Sequence, residues 1–226
     1  YIKETSSAKV IFNGAGSDEL FGGYLYFNHV SNSIQFDNEC RRLLDNIYMF
    51  DVLRSDKSIS SNGLEPRTPF LDRQFTQYIL SLSPTIRHKG GLLMDDSYNF
   101  RYMEKFLLRQ AFHDEDNPIL PYDVIWRTKE AFSDGVTNKQ ESISEMIEEH
   151  LVNFDFNEID NNIYTHNPPI TKEQKYYRYL FEKHYKGQGH ILPYFWMPKF
   201  VEATDPSART LDVYKEQHYD LMERSL

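Results

Sequence analysis

The glycine-punctuated stretch from Lys9 to Tyr24, KVIFNGAGSDELFGGY, constrains the fold of this 226-residue chain more than any other. Val10, Ile11 and Phe12 form a short apolar run of the kind that predicts a buried strand ending at a glycine turn. Gly14 and Gly16 flank Ala15, and Ser17 and Asp18 then offer the side-chain oxygens that cap a helix ahead of Glu19 and a further apolar run. Strand, glycine turn and helix start is the expectation. Such a turn lets the backbone approach a ligand closely, and free N–H groups at a helix start favour an anion such as phosphate. Asp18 is a hard oxygen ligand of the kind Mg2+ prefers. A plain strand-to-helix connection capped by Ser17 or Asp18 fits the same residues, so the turn alone leaves both readings open.

The rest of the chain reads as mostly helical. Asp37 to Arg54 predicts one helix, with Cys40, Leu43, Leu44, Ile47 and Tyr48 sharing a face at spacings of three and four. Pro66 and Pro69 bracket Arg67 and predict irregular backbone there. Asp72 predicts a cap for a helix through Leu82 that buries Phe75, Ile79 and Leu82. Residues 97–101 read as a loop and Tyr102 to Phe112 as a further helix, with Met103, Phe106, Leu107 and Phe112 on it. Leu120 to Gly135 is a turn-bounded mixture of aromatic and charged residues. Ser142 to Val152 predicts a short acidic helix, and Thr171 to Tyr185 a helix with a capping Thr. The Asn- and Asp-rich residues 154–169, ending in Pro168-Pro169, are the linker candidate.

Two further segments carry candidate chemistry. Arg67, held between prolines, is pre-organised for bidentate recognition of a carboxylate; a structural salt bridge to Glu65 or Asp72 is the alternative. Lys129, in WRTKEAFSDG, could stabilise negative charge developing on a transferred group, or simply lie in solvent. The eight His residues show no zinc spacing, and neither a GxxxxGK[ST] loop nor a GxSxG elbow occurs. Cys40, at an apolar helical position, reads as a buried inert thiol. As the lone cysteine it excludes an intramolecular disulfide. A net charge of −9 argues against a nucleic-acid binder, and no apolar run approaches the roughly 20 residues of a membrane span. The opening YIKETSSAKVIF has no signal-peptide pattern and no initiator Met. The expectation is a soluble cytoplasmic protein, represented by a fragment or processed chain.

Five blocks, in this order, resemble the synthetase domain of the glutamine-hydrolysing asparagine synthetases, in their eukaryotic form. They are VIFNGAGSDELFGGYLYFN, YMFDVLRSDKSISSNGLEPRTPFLD, EKFLLRQAF, LPYDVIWRTKEAFSDG and YFWMPKFVEATDPSARTLDVY, and they cover Lys9 to Tyr214. The resemblance implies an α/β fold of the adenine-nucleotide alpha-hydrolase type, with this portion dominated by helices and few parallel strands. Residues 1–226 would then be the C-terminal part of one synthetase domain. The implied activity is ATP-dependent adenylation of the aspartate side chain, followed by attack of ammonia on β-aspartyl-AMP. By the same resemblance Asn13 and Gly14 contact the adenylate, and Asp18 holds Mg2+. Arg67 and Lys129 belong to the active site. Ammonia would come from glutamine through a glutaminase domain outside this sequence, and a homodimer is the expected assembly.

The sequence also departs from the family pattern. Ala15 stands where the pattern GEGSDE has glutamate, and a methyl group can neither accept a proton nor carry charge. Asn13 replaces Ser, and Pro66 replaces a small or aliphatic residue. The SGGxDSS pyrophosphate loop of the family is not in this sequence. Three readings follow: a piece of a larger ligase that is inactive by itself, a non-catalytic nucleotide- or partner-binding relative, and a β-lactam-forming sibling. The tail block speaks against the last.

Overall fold

The computed structural model describes residues 1–88, 104–127, 129–135, 142–156, 164–203, 205–212 and 214. They divide into two compact units, one holding the described residues through Lys129 and the other those from Glu130 onward. Both are mostly helical. The first contains α1 (Ile2–Thr5), β1 (Val10–Phe12), α2 (Ser17–Phe21), α3 (Ser33–Asn46), α4 (Asp51–Ser60), β2 (Glu65–Arg67), α5 (Arg73–Ser81), α6 (Pro84–Arg87), α7 (Phe106–Ala111) and α8 (Tyr122–Ile125). No helix among the described residues is long and apolar enough to cross a membrane.

β1 and β2 form a two-stranded parallel sheet, with Val10 opposite Glu65, Ile11 opposite Pro66 and Phe12 opposite Arg67. The flanking bonds, Glu65 N–H to Lys9 O at 2.8 Å and Asn13 N–H to Arg67 O at 2.9 Å, fix which groups face inward. Ile11 directs its amide and carbonyl at β2, so Val10 and Phe12 direct theirs away. On β2 the outward residue is Pro66, which has no N–H to offer. This arrangement corrects two expectations. The proline-flanked Arg67 lies in a strand, because Pro66 sits on the side that needs no donor. The β1 strand is not buried: Val10 is 42% and Phe12 76% exposed, since two strands cannot cover both of their faces.

The core of this unit gathers around α2. Leu20 and Phe21 pack with Ile79 of α5, and Leu44, Phe70, Phe75, Leu82 and Leu107 close around them. Beyond α2 the chain turns through Gly22 and places Leu25, Tyr26 and Phe27 in the interior against Phe36 of α3. Tyr26 stacks on Phe27 at 5.0 Å, and Phe27 meets Phe36 at 5.2 Å. The helix foreseen from Asp37 to Arg54 is two helices. Asn32 caps α3 through Ile34 and Gln35 N–H, the backbone breaks at Phe50, and α4 begins afresh. Cys40, Leu43 and Ile47 are buried as the periodicity requires, but the tighter turn at Ile47–Met49 swings Tyr48 to the surface. Asp72 does cap α5, accepting from Phe75 N–H at 2.9 Å. The helix foreseen from Tyr102 starts only at Phe106; residues 97–103 lie outside the described set.

The second unit contains α9 (Phe132–Gly135), α10 (Ile143–His150) and α11 (Lys172–His184). Ser142 with Glu145, and Thr171 with Gln174, form reciprocal capping boxes. The two longer helices meet at Ser144, whose hydroxyl donates to the buried Glu173 at 2.7 Å. Arg178, also buried, lies over Tyr164 at 4.6 Å and donates to His166 O and Glu182. Phe154 packs edge-on against Tyr176 and Tyr179 of α11. Residues 157–163 of the candidate linker lie outside the described set.

Gly22 has φ +60°, and a Cβ there would overlap the Phe36 ring. Left-handed backbone and overpacking act together, so Gly22→Ala is expected to cost about 2 kcal/mol or more. Urea unfolding, at an unchanged m-value, measures it.

Candidate functional site

The turn after β1 is built by its own backbone. Asn13 Oδ1 accepts from Ala15 N–H at 3.0 Å, and Ser17 N–H donates to Gly14 O at 3.2 Å. Gly16 has φ +96°, and a Cβ at that position would collide with Leu71. The cap of α2 is therefore Gly16, with no side-chain bond, and Ser17 and Asp18 are the first helical residues. This corrects the expected Ser or Asp cap: the left-handed glycine turns the chain, which frees Asp18 to point elsewhere. Gly14 is exposed, and among the described residues nothing lies within 4 Å of where its Cβ would stand. The helix is five residues long, so its dipole contributes little. The positive charge at this turn comes from lysines.

Two ammonium groups reach the Asp18 carboxylate. Lys105 Nζ lies 2.9 Å from Oδ1 and Lys129 Nζ lies 3.4 Å from Oδ2, with all three side chains largely buried. Lys105 also lies 3.4 Å from the Ser17 hydroxyl, and Lys129 sits 5.7 Å from the centre of the Tyr24 ring. Burial pushes the Asp18 carboxyl up, but the two ammonium groups, Lys129 foremost, outweigh it and hold the carboxyl below the usual range. Gly23 passes so close beneath that a Cβ there would overlap Asp18 Oδ1 and Lys105 Cε.

Next to Asp18, Glu19 is buried in an acidic pair. Tyr24 Oη lies 2.7 Å from Glu19 Oε1 and 3.2 Å from Asp51 Oδ2, and its single proton can serve one of them at a time. Burial pushes the Glu19 carboxyl up to about 7; the Tyr24 hydroxyl opposes this, and the charges of Asp18 and Asp51 add to it.

Of the residues marked from sequence, Asn13, Gly14, Ala15 and Asp18 share the turn, and Lys129 joins them at Asp18. Arg67 does not: it pairs with Glu65 at 2.5 Å, both side chains 59% exposed. Lys105 was missed. Its φ of +55° is left-handed for a residue with a Cβ, a conformation sequence patterns do not foresee. The signal present was the block EKFLLRQAF, which carries Glu104, Lys105 and Arg109 together. Cys40 is buried, and burial pushes its thiol up to about 12, as an inert side chain requires.

The donor set can be tested against a divalent cation. Both Asp18 oxygens already face an ammonium group, Oδ1 at 2.9 Å from Lys105 and Oδ2 at 3.4 Å from Lys129, so a metal held here by one carboxylate oxygen would take the place of a lysine, with phosphates and water as its other ligands. Among the described residues no group of three or more His, Cys, Asp or Glu could hold a metal without such help.

A strand–turn–helix with a carboxylate between two lysines is thus in place. The family described as asparagine synthase matches residues 28–191, a span that includes Lys105 and Lys129. The chain belongs to the asparagine synthase family. It is 46% identical over 223 residues to the glutamine-hydrolysing asparagine synthetase of Gallus gallus, and 43% identical over 223 residues to that of Homo sapiens. Each similarity covers 95% of this chain and 37% of the relative.

Glu19 makes stability depend on pH. Its carboxyl rises from 4.5 to about 7 on folding, so its contribution is fully present below pH 4.5 and is lost as pH climbs to about 7, by on the order of 3 kcal/mol. Glu19→Gln keeps an acceptor for Tyr24 and should flatten that slope. Unfolding free energies measured from pH 4 to 8 on both proteins check it, and parallel slopes would count against the assignment.

Proposed function

We propose that this chain is the phosphate-handling part of an ATP-dependent ligase that converts aspartate to asparagine. The observation that carries the reading is the convergence of Lys105 and Lys129 on Asp18 at the glycine turn. In this reaction the β-carboxylate of aspartate attacks the α-phosphorus of ATP, and the bond to pyrophosphate breaks. Ammonia then attacks the acyl carbon of β-aspartyl-AMP, and AMP leaves with asparagine formed and a proton released. Charge builds on phosphate oxygens in the first step, and two desolvated ammonium groups are suited to stabilise it. The exposed Gly14 backbone and Asn13 would border the adenylate. Asp18 would hold Mg2+, which supplies charge neutralisation for the polyphosphate when bound. Arg67 would meet the aspartate substrate only by leaving Glu65.

The chain spans 37% of the length of the relatives it matches, so the whole activity belongs to a larger assembly. The open edge of β1 supports further parallel strands alongside it, in a sheet of the adenine-nucleotide alpha-hydrolase type. An SGGxDSS loop and a source of ammonia would come with that assembly.

A second reading rests on Ala15. A methyl group where the family pattern has glutamate removes a base, which favours a relative that binds nucleotide without turning it over.

Two measurements decide. The 226-residue chain alone should form no asparagine from aspartate, ATP and ammonia; detectable product would overturn this. Combined with a segment supplying SGGxDSS, it should support aspartate-dependent ATP–pyrophosphate exchange, more so as Ala15→Glu. Exchange absent from both would remove the ligase reading, while calorimetric heat with ATP and Mg2+ but no exchange would select the second. In either case Lys129→Ala should weaken nucleotide binding roughly tenfold.

A further inference from the structure

We propose that Arg109 is a positioning residue that ties together the backbones carrying the two site lysines and so keeps both ammonium groups aimed at one anion. The inference rests on the polyphosphate reading above and concerns how that site is built.

Arg109 spends its guanidinium on two segments. Nε donates to Glu104 O at 2.7 Å and Nη2 to Glu104 Oε1 at 2.5 Å, while Nη1 donates to Ile125 O. Glu104 directly precedes Lys105, and Ile125 lies in α8, four residues before Lys129. One side chain thus ties together the backbones that carry both lysines.

The bond to Glu104 O has a specific consequence. That carbonyl belongs to the peptide joining Glu104 to Lys105, and the tilt of this peptide about the Lys105 N–Cα bond is the Lys105 φ. Holding it sustains the left-handed φ of +55° that aims Nζ at Asp18. The bond to Ile125 O fixes the other end, where the chain leaves α8 toward Lys129. Planar, forked donors make this possible; a lysine offers neither the geometry nor the reach to serve both carbonyls. The Arg109 and Glu104 side chains are both buried, which strengthens these bonds.

The packing of α7 on α8 does not depend on Arg109 alone. Phe106, Ile125 and Trp126 form their own cluster, and Trp126 Nε1–H donates to His113 Nδ1 at 3.2 Å. Positioning and folding can therefore be read separately.

The test uses Arg109→Lys and Arg109→Gln in the 226-residue chain, with three readouts. Lysine side-chain NMR follows Lys105 and Lys129, Trp emission in a Trp196→Phe background reports the packing around Trp126, and calorimetry measures binding of inorganic pyrophosphate. In both variants the two lysine signals should move toward exposed-lysine values while Trp emission holds. Pyrophosphate affinity should fall roughly tenfold or more. Lysine signals unchanged in both variants would overturn the proposal. So would collapse of Trp126 packing together with the lysine signals, which would make Arg109 a general stabiliser. If the wild-type chain binds no pyrophosphate while the variants still lose the lysine signals, the polyphosphate reading fails and the positioning role stands.

Discussion

Three side chains 24 to 111 residues apart in sequence meet at the Asp18 carboxylate, and much of the first unit is arranged to let them. A buried carboxylate is costly unless opposite charge reaches it. Here two ammonium groups reach it from segments with no sequence proximity to α2. Each approach has a local device behind it. Gly16 turns the chain so that Asp18 faces outward from the helix, and Gly23 leaves room beneath it. Lys105 adopts backbone that only an external hold makes tolerable. The apolar cluster of Leu20, Phe21 and Ile79 anchors α2 from the opposite side, so the charged and apolar faces of one short helix fix each other.

How much of this could be read from the sequence depended on whether the signal was local. The caps at Asp72, Ser142 and Thr171 were legible, because a capping oxygen and its target N–H lie three residues apart. So was the buried face of α3 through Cys40, Leu43 and Ile47. Ser17 misled because glycine in a left-handed conformation caps a helix without any side-chain bond. Phe50 misled because apolar periodicity continues across a break that only backbone angles record. Pro66 misled because proline excludes a strand only where a donor is needed, and strand edges need none.

The site divides in the same way. Asn13, Gly14, Ala15 and Asp18 are neighbours in one motif, so a single glycine-rich stretch announces them. Lys129 was marked as a candidate site residue from its loop and from the family block, but nothing in the sequence tied it to Asp18, and Lys105 carried no individual signal. What unites them is long-range geometry, held by groups such as Arg109 that touch neither Asp18 nor the open face of Gly14. Arg67 shows the converse. Rigid flanking prolines argued for a prepared guanidinium, yet an exposed carboxylate two residues away satisfies it.

Ala15 alters the charge of this arrangement as well as its chemistry. With Glu19 raised to about 7 and so largely neutral on the acid side of that value, the turn presents Asp18 against Lys105 and Lys129, a local excess of one positive charge. A glutamate at position 15 would cancel that excess within the same loop. Under the proposed ligase reading, its absence would favour anions at this turn, since two lysines there share one carboxylate. Tight retention of pyrophosphate would then oppose turnover, because an interaction equally strong before and after the transition state does not accelerate the chemistry. Under the proposed reading the substitution would remove a base and slow product release together, and both would push the site from catalysis toward binding.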